Sequence, residues 1–274
     1  MEEPIIHPGN KILRALDTKR QLYKYLSLDG VGLERAVDMI INSQVYFSNY
    51  EQLNDPFDCQ AEPKWNETPD KIRDAVEQFA ADNPDHTIDV EAVISEQIEV
   101  SKSPRLQAEQ QQKMLKITRQ VGIYSLSETG VGLPMWAYYG GSHTGICLMI
   151  SVHKEVLLHL QDGWFPLKIQ YLNSVPEWYY YTHQDPMAFC QYAFGFKAKG
   201  WRHEKEWRLV RPHHKGLSNI PTDMIRGVIF GLNTPPEWGK SVKLACREAP
   251  YKIKLYKTEK VPGRYELIAS PYMQ

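Results

Sequence analysis

The heptapeptide Val121-Gly122-Ile123-Tyr124-Ser125-Leu126-Ser127 marks the point where the pattern of the chain changes. Its β-prone residues alternate, which predicts a strand in which Ser125 and Ser127 share one face. It follows a block of helical patterns that lacks glycine and is almost free of aromatic residues. Strands therefore precede and follow a helical block without regular alternation, and this order predicts an α+β fold and not a doubly wound sheet.

Upstream of this heptapeptide, the sequence predicts a strand, a helix and a second strand. Residues 22–26 alternate as a strand, and apolar residues recur at helical spacing in 31–42, with Asp29 as the expected N-cap. A short strand is predicted over 45–48. A loop is expected over 49–66, because turn-forming residues cluster there.

The helical block covers about 67–120 and is interpreted as an insert within a single domain, 1–274. Its first helix is predicted from an apolar stripe between residues 72 and 80. Two further helices are expected over 89–101 and 105–119. Downstream of the heptapeptide, a short helix opens at Pro134, and strands are expected over 144–151, 167–172, 201–212, 224–231 and 251–256.

The composition is near neutral. Lys and Arg number 32 and Asp and Glu 33, so the net charge is -1, which excludes a nucleic-acid binder that relies on a strongly basic surface alone. The four cysteines form no Cys-x-x-Cys pair, so we expect free thiols in a reducing cytoplasm. A basic signal-peptide start and an apolar run of roughly 18 residues are both missing, so we expect a cytoplasmic protein without a membrane span.

The segment Trp201–Arg208 brings charged and aromatic residues together. If 201–212 is one strand, Glu204, Glu206 and Arg208 lie on one face of it. Carboxylates in this arrangement can stabilise a cationic transition state or activate a nucleophile. The alternative is a solvated face with surface ion pairs. The two flanking tryptophans favour partial burial, where paired carboxylates are costly unless they are satisfied or used.

Two other strands carry candidate binding residues. The hydroxyls of Ser125 and Ser127 can orient a ribose or a carboxylate, although a strand end with a serine cap also explains them. In strand 22–26, Tyr23 and Lys24 can hold a phosphate or stack on a ring. Ordinary strand packing is the alternative there.

Aromatic residues concentrate in one part of the chain. Sixteen of the 31 lie between Trp136 and Trp207, whereas 89–119 has none. This distribution predicts a cleft rich in stacking surfaces near the two carboxylates. Trp136 and Tyr139 share a helix face and form either a ligand wall or a core-facing pair.

Weaker features remain. Asp55 and Asp58 can bind a metal, although an Asx turn competes with this interpretation. The segment Trp178–Tyr181 is either a stacking platform for bases or a packed or partner-binding edge. His213–His214 is expected to be an exposed loop pair. The chain has neither Gly-x-Gly-x-x-Gly after a strand nor a P-loop, so an ordinary dinucleotide or ATP fingerprint is absent.

The ordered set of segments resembles a bacterial domain-of-unknown-function family, DUF2971. The resemblance begins with LYKYLSLDGVGLERAVDMIINSQVYFSNYEQLNDPFDC and continues through YSLSE, PMWAYYGGSHTGICLMI, KAKGWRHEKEWRLV and MIRGVIFG. It spans roughly 22–231 in pieces, with the helical block as the least characteristic part. It implies a bacterial or viral source and a toxin or anti-phage setting.

More distantly, the chain is similar to ADP-ribosyltransferases. These enzymes place on their sheet a first strand with Arg, His or a substitute, then a strand with a Ser-x-Ser-type pair, then a strand with Glu-x-Glu or a single Glu. The corresponding segments here are Tyr23-Lys24-Tyr25, Ser125-x-Ser127 and Glu204-x-Glu206. This fold-level analogy implies a split mixed or antiparallel sheet core with a helical insert, and NAD as substrate. The chain departs from the pattern because its first strand has no Arg or His and its serine motif is Ser-Leu-Ser.

The likeness also implies roles for individual residues. Glu206 stabilises the cationic ribose, and Glu204 activates or orients the acceptor. Ser125 and Ser127 position the carboxylate and the ribose, and Lys24 meets the pyrophosphate. The implied cofactor-binding set is completed by Tyr23, Trp136, Tyr139 and Arg208.

The leading hypothesis is therefore NAD-dependent ADP-ribosyl transfer to an unknown protein or nucleic-acid acceptor. One alternative is an NAD glycohydrolase, in which water is the acceptor. Another is a non-catalytic module that senses phage or nucleic acid through its aromatic surface. A metal-dependent nuclease using Asp55, Asp58, Glu204 and Glu206 is a further alternative.

Overall fold

The computed structural model describes residues 20–59, 63–82, 84, 89–152, 164–181, 186–212, 214–222 and 224–272. The fold is α+β, with a large mixed β-sheet and several helices, as the order of patterns predicts. Residues 1–19 and His213, one of the predicted loop pair, lie outside the described residues. Among the described residues, no helix is long and apolar enough to cross a membrane.

The helices are α1 (Gly32–Asn42), α2 (Pro69–Asp82), α3 (Val90–Lys102), α4 (Pro104–Thr118), α5 (Leu133–Tyr138), α6 (Pro186–Phe194) and α7 (Pro236–Glu248). Two 3₁₀-helices span Tyr50–Gln52 and Lys199–Glu204. The strands are β1 (Arg20–Leu26), β2 (Gln44–Phe47), β3 (Pro63–Lys64), β4 (Gly122–Ser127), β5 (Ile146–Val152), β6 (Phe165–Lys168), β7 (Gln170–Leu172), β8 (Trp178–Tyr179), β9 (Phe196–Ala198), β10 (Glu206–Arg211), β11 (Gly216–Asn219), β12 (Ile225–Phe230), β13 (Lys254–Lys260) and β14 (Leu267–Pro271).

Eight strands form the main sheet in the order β14-β13-β12-β5-β1-β4-β10-β6. Its pairs are antiparallel except for β12 with β13, which are parallel. Side chains alternate between the two faces of the sheet, and in the central strands β5 and β12 nearly all of them are buried. Leu148 and Val228 point into the core under α1 and α7, whereas Cys147 and Ile229 point towards Trp136 of α5.

The sheet opens between β1 and β4. β1 pairs with β5 over all seven of its residues. With β4, by contrast, it forms one residue pair, Tyr23 opposite Ser127. At the other end of β4, Ile123 forms a bridge with Ser48, which follows β2. Ser125 lies between these two contacts, so its main chain faces a gap in the sheet.

Most elements lie where the sequence predicts them, including β1, α1, β2, β4, α5 and the three helices of the 67–120 block. The N-cap prediction is wrong. Val31 holds the N-cap position of α1, and Asp29 instead accepts a hydrogen bond of 2.6 Å from the Ser27 hydroxyl. The predicted loop 49–66 also contains a short 3₁₀ turn and β3.

Two segments that were each predicted to be one strand form two separate elements. The segment 167–172 belongs to β6 and β7, which lie in different sheets because β7 pairs with β9. The segment 201–212 begins as a 3₁₀-helix and becomes strand β10 at Glu206. The sequence patterns also did not predict helices α6 and α7 or the edge strand β14. In α7, Val242 and Ala245 are buried against α1, at the spacing typical of an amphipathic helix.

Candidate functional site

A cavity of about 230 Å³ lies at the gap between β1 and β4. Of the nine residues proposed from sequence, seven line it: Tyr23, Lys24, Ser125, Ser127, Tyr139, Glu204 and Glu206. Lys197 and Asn54 also line the cavity. Segments distant in sequence therefore meet at this opening of the sheet, because β4 lies between β1 and β10.

Glu204 and Glu206 reach the cavity through a turn and not through strand alternation. Glu204 ends the 3₁₀-helix, Glu206 begins β10, and Lys205 between them has a φ of 46°. This left-handed conformation is uncommon for a residue with a side chain. It reverses the chain sharply enough to direct both carboxylates inward, and both side chains are buried. The prediction that Glu204, Glu206 and Arg208 share one strand face is wrong for Glu204, which precedes the strand, although the two carboxylates do converge.

Lys197 of β9 holds the two carboxylates together. Its Nζ lies 2.6 Å from Glu204 Oε2 and 3.2 Å from Glu206 Oε2. The same Nζ is 3.6 Å from Asp58 Oδ2. An ammonium group therefore sits among three carboxylates, the position that a cation prefers in such a cluster.

Arg208 is a second cation that binds two of these three carboxylates. Its Nε donates to Glu206 Oε1 at 2.8 Å, and its Nη2 donates to Asp58 Oδ2 at 2.6 Å. Its Nη1 donates to the Phe194 carbonyl at 2.9 Å. The side chain is 0% exposed and does not line the cavity. Arg208 is thus placed to fix Glu206 and Asp58, and not to contact a cofactor as the sequence likeness implied.

We call Asp58, Lys197, Glu204, Glu206 and Arg208 the ion cluster. It combines three carboxylates with two cations, which leaves one excess negative charge. Burial acts to raise the pKa of Glu206, but the charges of Arg208 and Lys197 lower it to about 2. Burial acts to lower the pKa of Lys197, yet Glu206, Glu204 and Asp58 raise it above its ordinary value. Glu206 therefore stays ionised on the cavity wall.

The low pKa of Glu206 predicts a specific loss of stability in acid. Its contribution is fully present above its ordinary pKa of 4.5 and is lost as the pH falls towards about 2. We expect this group to account for about 3 kcal/mol of the free energy of unfolding. Urea unfolding at a series of pH values should show the loss in the wild type and in an exposed control, Glu177→Gln. A Glu206→Gln variant with the same acid dependence as the wild type would contradict the assignment.

Hydroxyl groups surround the two carboxylates. The Ser125 hydroxyl lies beside Glu206 on the cavity wall and helps to lower its pKa. Ser127 donates to the Glu204 carbonyl at 2.7 Å, so it fixes the backbone of the turn. Tyr139 donates to Glu204 Oε1 at 2.5 Å and accepts from the Asn54 amide at 2.8 Å. Both oxygens of Glu204 are consequently engaged, one by Tyr139 and one by Lys197.

Lys24 bridges the gap in the sheet. By alternation it belongs to the opposite face of β1 from Tyr23, and its Nζ lies 4.9 Å from the centre of the Tyr124 ring. The Nζ donates to the Ser125 carbonyl at 3.1 Å, so it satisfies a main-chain acceptor that has no strand partner there. Burial lowers the pKa of Lys24, and the charge of Glu206 acts in the opposite direction.

Trp136 packs in the core and does not form a ligand wall. Its side chain is 0% exposed, and its indole nitrogen donates to the Gly130 carbonyl at 3.1 Å. Its ring meets the Tyr25 ring edge-on at a centroid distance of 5.1 Å. Of the predicted aromatic pair, Tyr139 reaches the cavity and Trp136 supports the helix that carries it.

The two aspartates of the metal-binding alternative have partners within the protein. Asp55 accepts a hydrogen bond from the Phe57 amide at 2.9 Å, the Asx turn that the sequence also allowed. Asp58 joins the ion cluster, whose centre is occupied by the Lys197 ammonium group. In the part of the chain that the structure describes, no group of three His, Cys, Asp or Glu residues is arranged to hold a metal ion.

Lys197 and Tyr171 were not predicted from the sequence. The Tyr171 hydroxyl accepts a hydrogen bond of 2.7 Å from the Glu206 backbone amide and so fixes the start of β10. One weak feature of the sequence suggests burial of Lys197: it lies between Phe196 and Ala198 in an aromatic-rich stretch. A lysine surrounded by apolar residues is unusual for an exposed strand, but the spacing does not reveal its partners.

Comparisons of the chain with protein-family models, with curated proteins and with solved structures found no match. The resemblance to DUF2971 and the likeness to ADP-ribosyltransferases therefore stay predictions from sequence.

Proposed function

We propose that this protein cleaves the bond between nicotinamide and ribose in NAD and transfers ADP-ribose to an acceptor. One observation carries the proposal: a buried carboxylate, Glu206, is held ionised on the wall of a cavity within a cluster of excess negative charge. A site of this kind is complementary to a positive charge that develops in the cavity. Cleavage of a glycosidic bond develops such a charge on the sugar.

The reaction begins with breakage of the bond between ribose C1′ and the nicotinamide nitrogen. The electron pair of this bond goes to nicotinamide, which leaves as a neutral molecule, and the positive charge passes to the ribose. Glu206 stabilises that charge, and because Arg208 and Lys197 fix its position, little reorganisation is needed during the reaction.

In the second half of the reaction, a lone pair of the acceptor forms the new bond to C1′. The acceptor then loses its proton, which Glu204 takes up and passes to water. The contact from Tyr139 to Glu204 orients this carboxylate towards the cavity. If water is the acceptor, the same steps give free ADP-ribose, which is the glycohydrolase alternative.

The size and lining of the cavity support binding of one end of a dinucleotide. At about 230 Å³, it is smaller than the roughly 300–1,000 Å³ of typical small-molecule sites. The nicotinamide and its ribose would therefore enter, and the remainder of NAD would extend outward. Lys24 at the gap offers a positive charge to the pyrophosphate, as the ADP-ribosyltransferase likeness implies.

The four cysteines are free thiols, which is the state that a reducing cytoplasm maintains. The proposal therefore places the activity in the cytoplasm.

Incubation of the purified protein with NAD labelled in its adenine ring tests the proposal. Transfer predicts release of nicotinamide together with a labelled acceptor when cell extract is added. Hydrolysis predicts nicotinamide and free ADP-ribose with or without extract. Retention of intact NAD under every condition would overturn the proposal.

A Ser125→Ala variant should turn over NAD about tenfold more slowly, because the Glu206 carboxylate loses a neighbouring hydroxyl that favours its ionised form. Ser241→Ala, on the exposed face of α7, is the matched control and should keep the wild-type rate. Initial rates of nicotinamide release provide the measurement. Equal rates for the two variants would remove Ser125 from the site.

A further inference from the structure

The 3₁₀-helix Lys199–Glu204 arranges its side chains in three distinct faces. Residues three apart lie on the same face of a 3₁₀-helix, so Lys199 and Arg202 are aligned, and Lys205 follows the helix at its left-handed C-cap. All three are exposed. Within the part of the chain that the structure describes, none of them is paired with a carboxylate. The helix and its cap together expose three cations to solvent.

A second face points into the molecule. Trp201 and Glu204 are three residues apart, and Glu204 lines the cavity. Trp201 is half-buried, with the Lys197 ammonium 5.3 Å from its ring centre. The helix that carries Lys199 and Arg202 is therefore fixed directly to the ion cluster.

The third face carries His203 and borders an aromatic surface. The His203 ring lies 6.0 Å from the Tyr138 ring and 6.0 Å from the Trp201 ring. Tyr138 is 67% exposed, although it is a large ring at the end of α5. Its neighbour in sequence, Tyr139, contacts Glu204 inside the cavity. The exposed Tyr138 ring, 6.5 Å from the Tyr139 ring, thus lies next to a side chain that lines the cavity.

We propose that Tyr138, His203, Lys199, Arg202 and Lys205, here called the rim, bind a single-stranded nucleic acid. The three cations contact phosphates, and an unstacked base stacks on the exposed Tyr138 ring, which the tilted His203 ring flanks. Aromatic platforms beside a positively charged groove are how proteins hold single strands without reading their sequence. That this nucleic acid is also the ADP-ribose acceptor rests on the proposed function, whereas its binding does not.

The combination of rings and cations favours a nucleic acid over an acidic protein. Three cations alone attract either partner, but an exposed tyrosine at this position offers a flat surface on which a base can stack. A duplex keeps its bases stacked inside, so a single strand fits better. The near-neutral net charge of -1 limits this attraction to the rim, because the rest of the surface adds no general positive charge.

Binding of a fluorescein-labelled oligothymidylate of about 12 nucleotides, measured by fluorescence anisotropy, tests the rim directly. Lys199→Gln combined with Arg202→Gln should weaken binding at least tenfold and reduce the salt dependence, because two phosphate contacts are lost. Tyr138→Ala should weaken binding about tenfold through lost stacking. The matched control, Lys240→Gln with Arg247→Gln, removes two exposed cations from α7 and should bind like the wild type.

The outcomes separate this proposal from the function proposed above. Equal binding by the rim variants and the α7 control, or no binding even at low salt, would overturn the rim. If rim variants lose binding while NAD stays intact, the rim stands and the transferase proposal fails. If NAD is consumed and extract proteins are labelled while the oligonucleotide is not, the acceptor is a protein and the acceptor assignment fails.

Discussion

Replacement of Glu206 with glutamine is expected to slow NAD turnover by roughly 10³-fold, because the cavity loses the charge that stabilises the cationic ribose. The protein should remain folded. Glutamine keeps the size of the side chain, and the ion cluster then holds two carboxylates and two cations. Arg208 keeps Asp58 at 2.6 Å, and Lys197 keeps Glu204 at 2.6 Å. Nicotinamide release and thermal unfolding of the same preparation give both results.

Asp58→Asn is the matched control for this experiment. It removes one negative charge from the same ion cluster, but Asp58 does not line the cavity. If Glu206 acts on the substrate, Asp58→Asn should retain most of the turnover that Glu206→Gln loses. Equal losses in two folded variants would mean that turnover depends on the integrity of the cluster, and Glu206 would have no direct role.

Arg208→Met is expected to lower the free energy of unfolding by about 3–5 kcal/mol. The guanidinium group is 0% exposed and hydrogen-bonds to Glu206, Asp58 and the Phe194 carbonyl. Without it, three buried carboxylates share one lysine. Urea unfolding followed by tryptophan fluorescence measures the change. If the methionine variant does not fold, Arg208→Lys, which keeps the charge but loses the fork of donors, should cost about 1–3 kcal/mol.

Arg73→Met provides the comparison for Arg208→Met. Arg73 also contacts a carboxylate at 2.6 Å, that of Glu91, but both side chains are exposed. Exposed ion pairs contribute about 0–1 kcal/mol, so this variant should unfold almost like the wild type. Similar losses in the two methionine variants would show that burial of the ion cluster does not determine its contribution.

The sequence predicts the positions of the central elements well because their patterns are local. The alternation in β4 and the helical spacing in α1 each depend on a few neighbouring residues. The break inside 201–212 is different. It depends on a left-handed Lys205, a conformation that no residue type signals when glycine and asparagine are absent.

The candidate site could likewise be predicted from the sequence only in part. Paired carboxylates and paired serines are visible as motifs, and the sheet order brings them to one cavity. The partners of these groups are long-range: Lys197 belongs to another strand, and Asp58 comes from a loop far upstream in the sequence. Only tertiary structure shows that Arg208 is buried behind Glu206 without lining the cavity and that Trp136 packs in the core.

The gap between β1 and β4 has a consequence for the energetics of the fold. The pairing of Tyr23 with Ser127 and the bond from Lys24 to Ser125 join one group of five strands to another group of three. Tyr23 and Lys24 belong to the first group, and Glu206 belongs to the second. A molecule that contacts both groups therefore adds its own bonds to this junction. Occupancy of the cavity and cohesion of the sheet are then thermodynamically linked, so each strengthens the other by the same free energy.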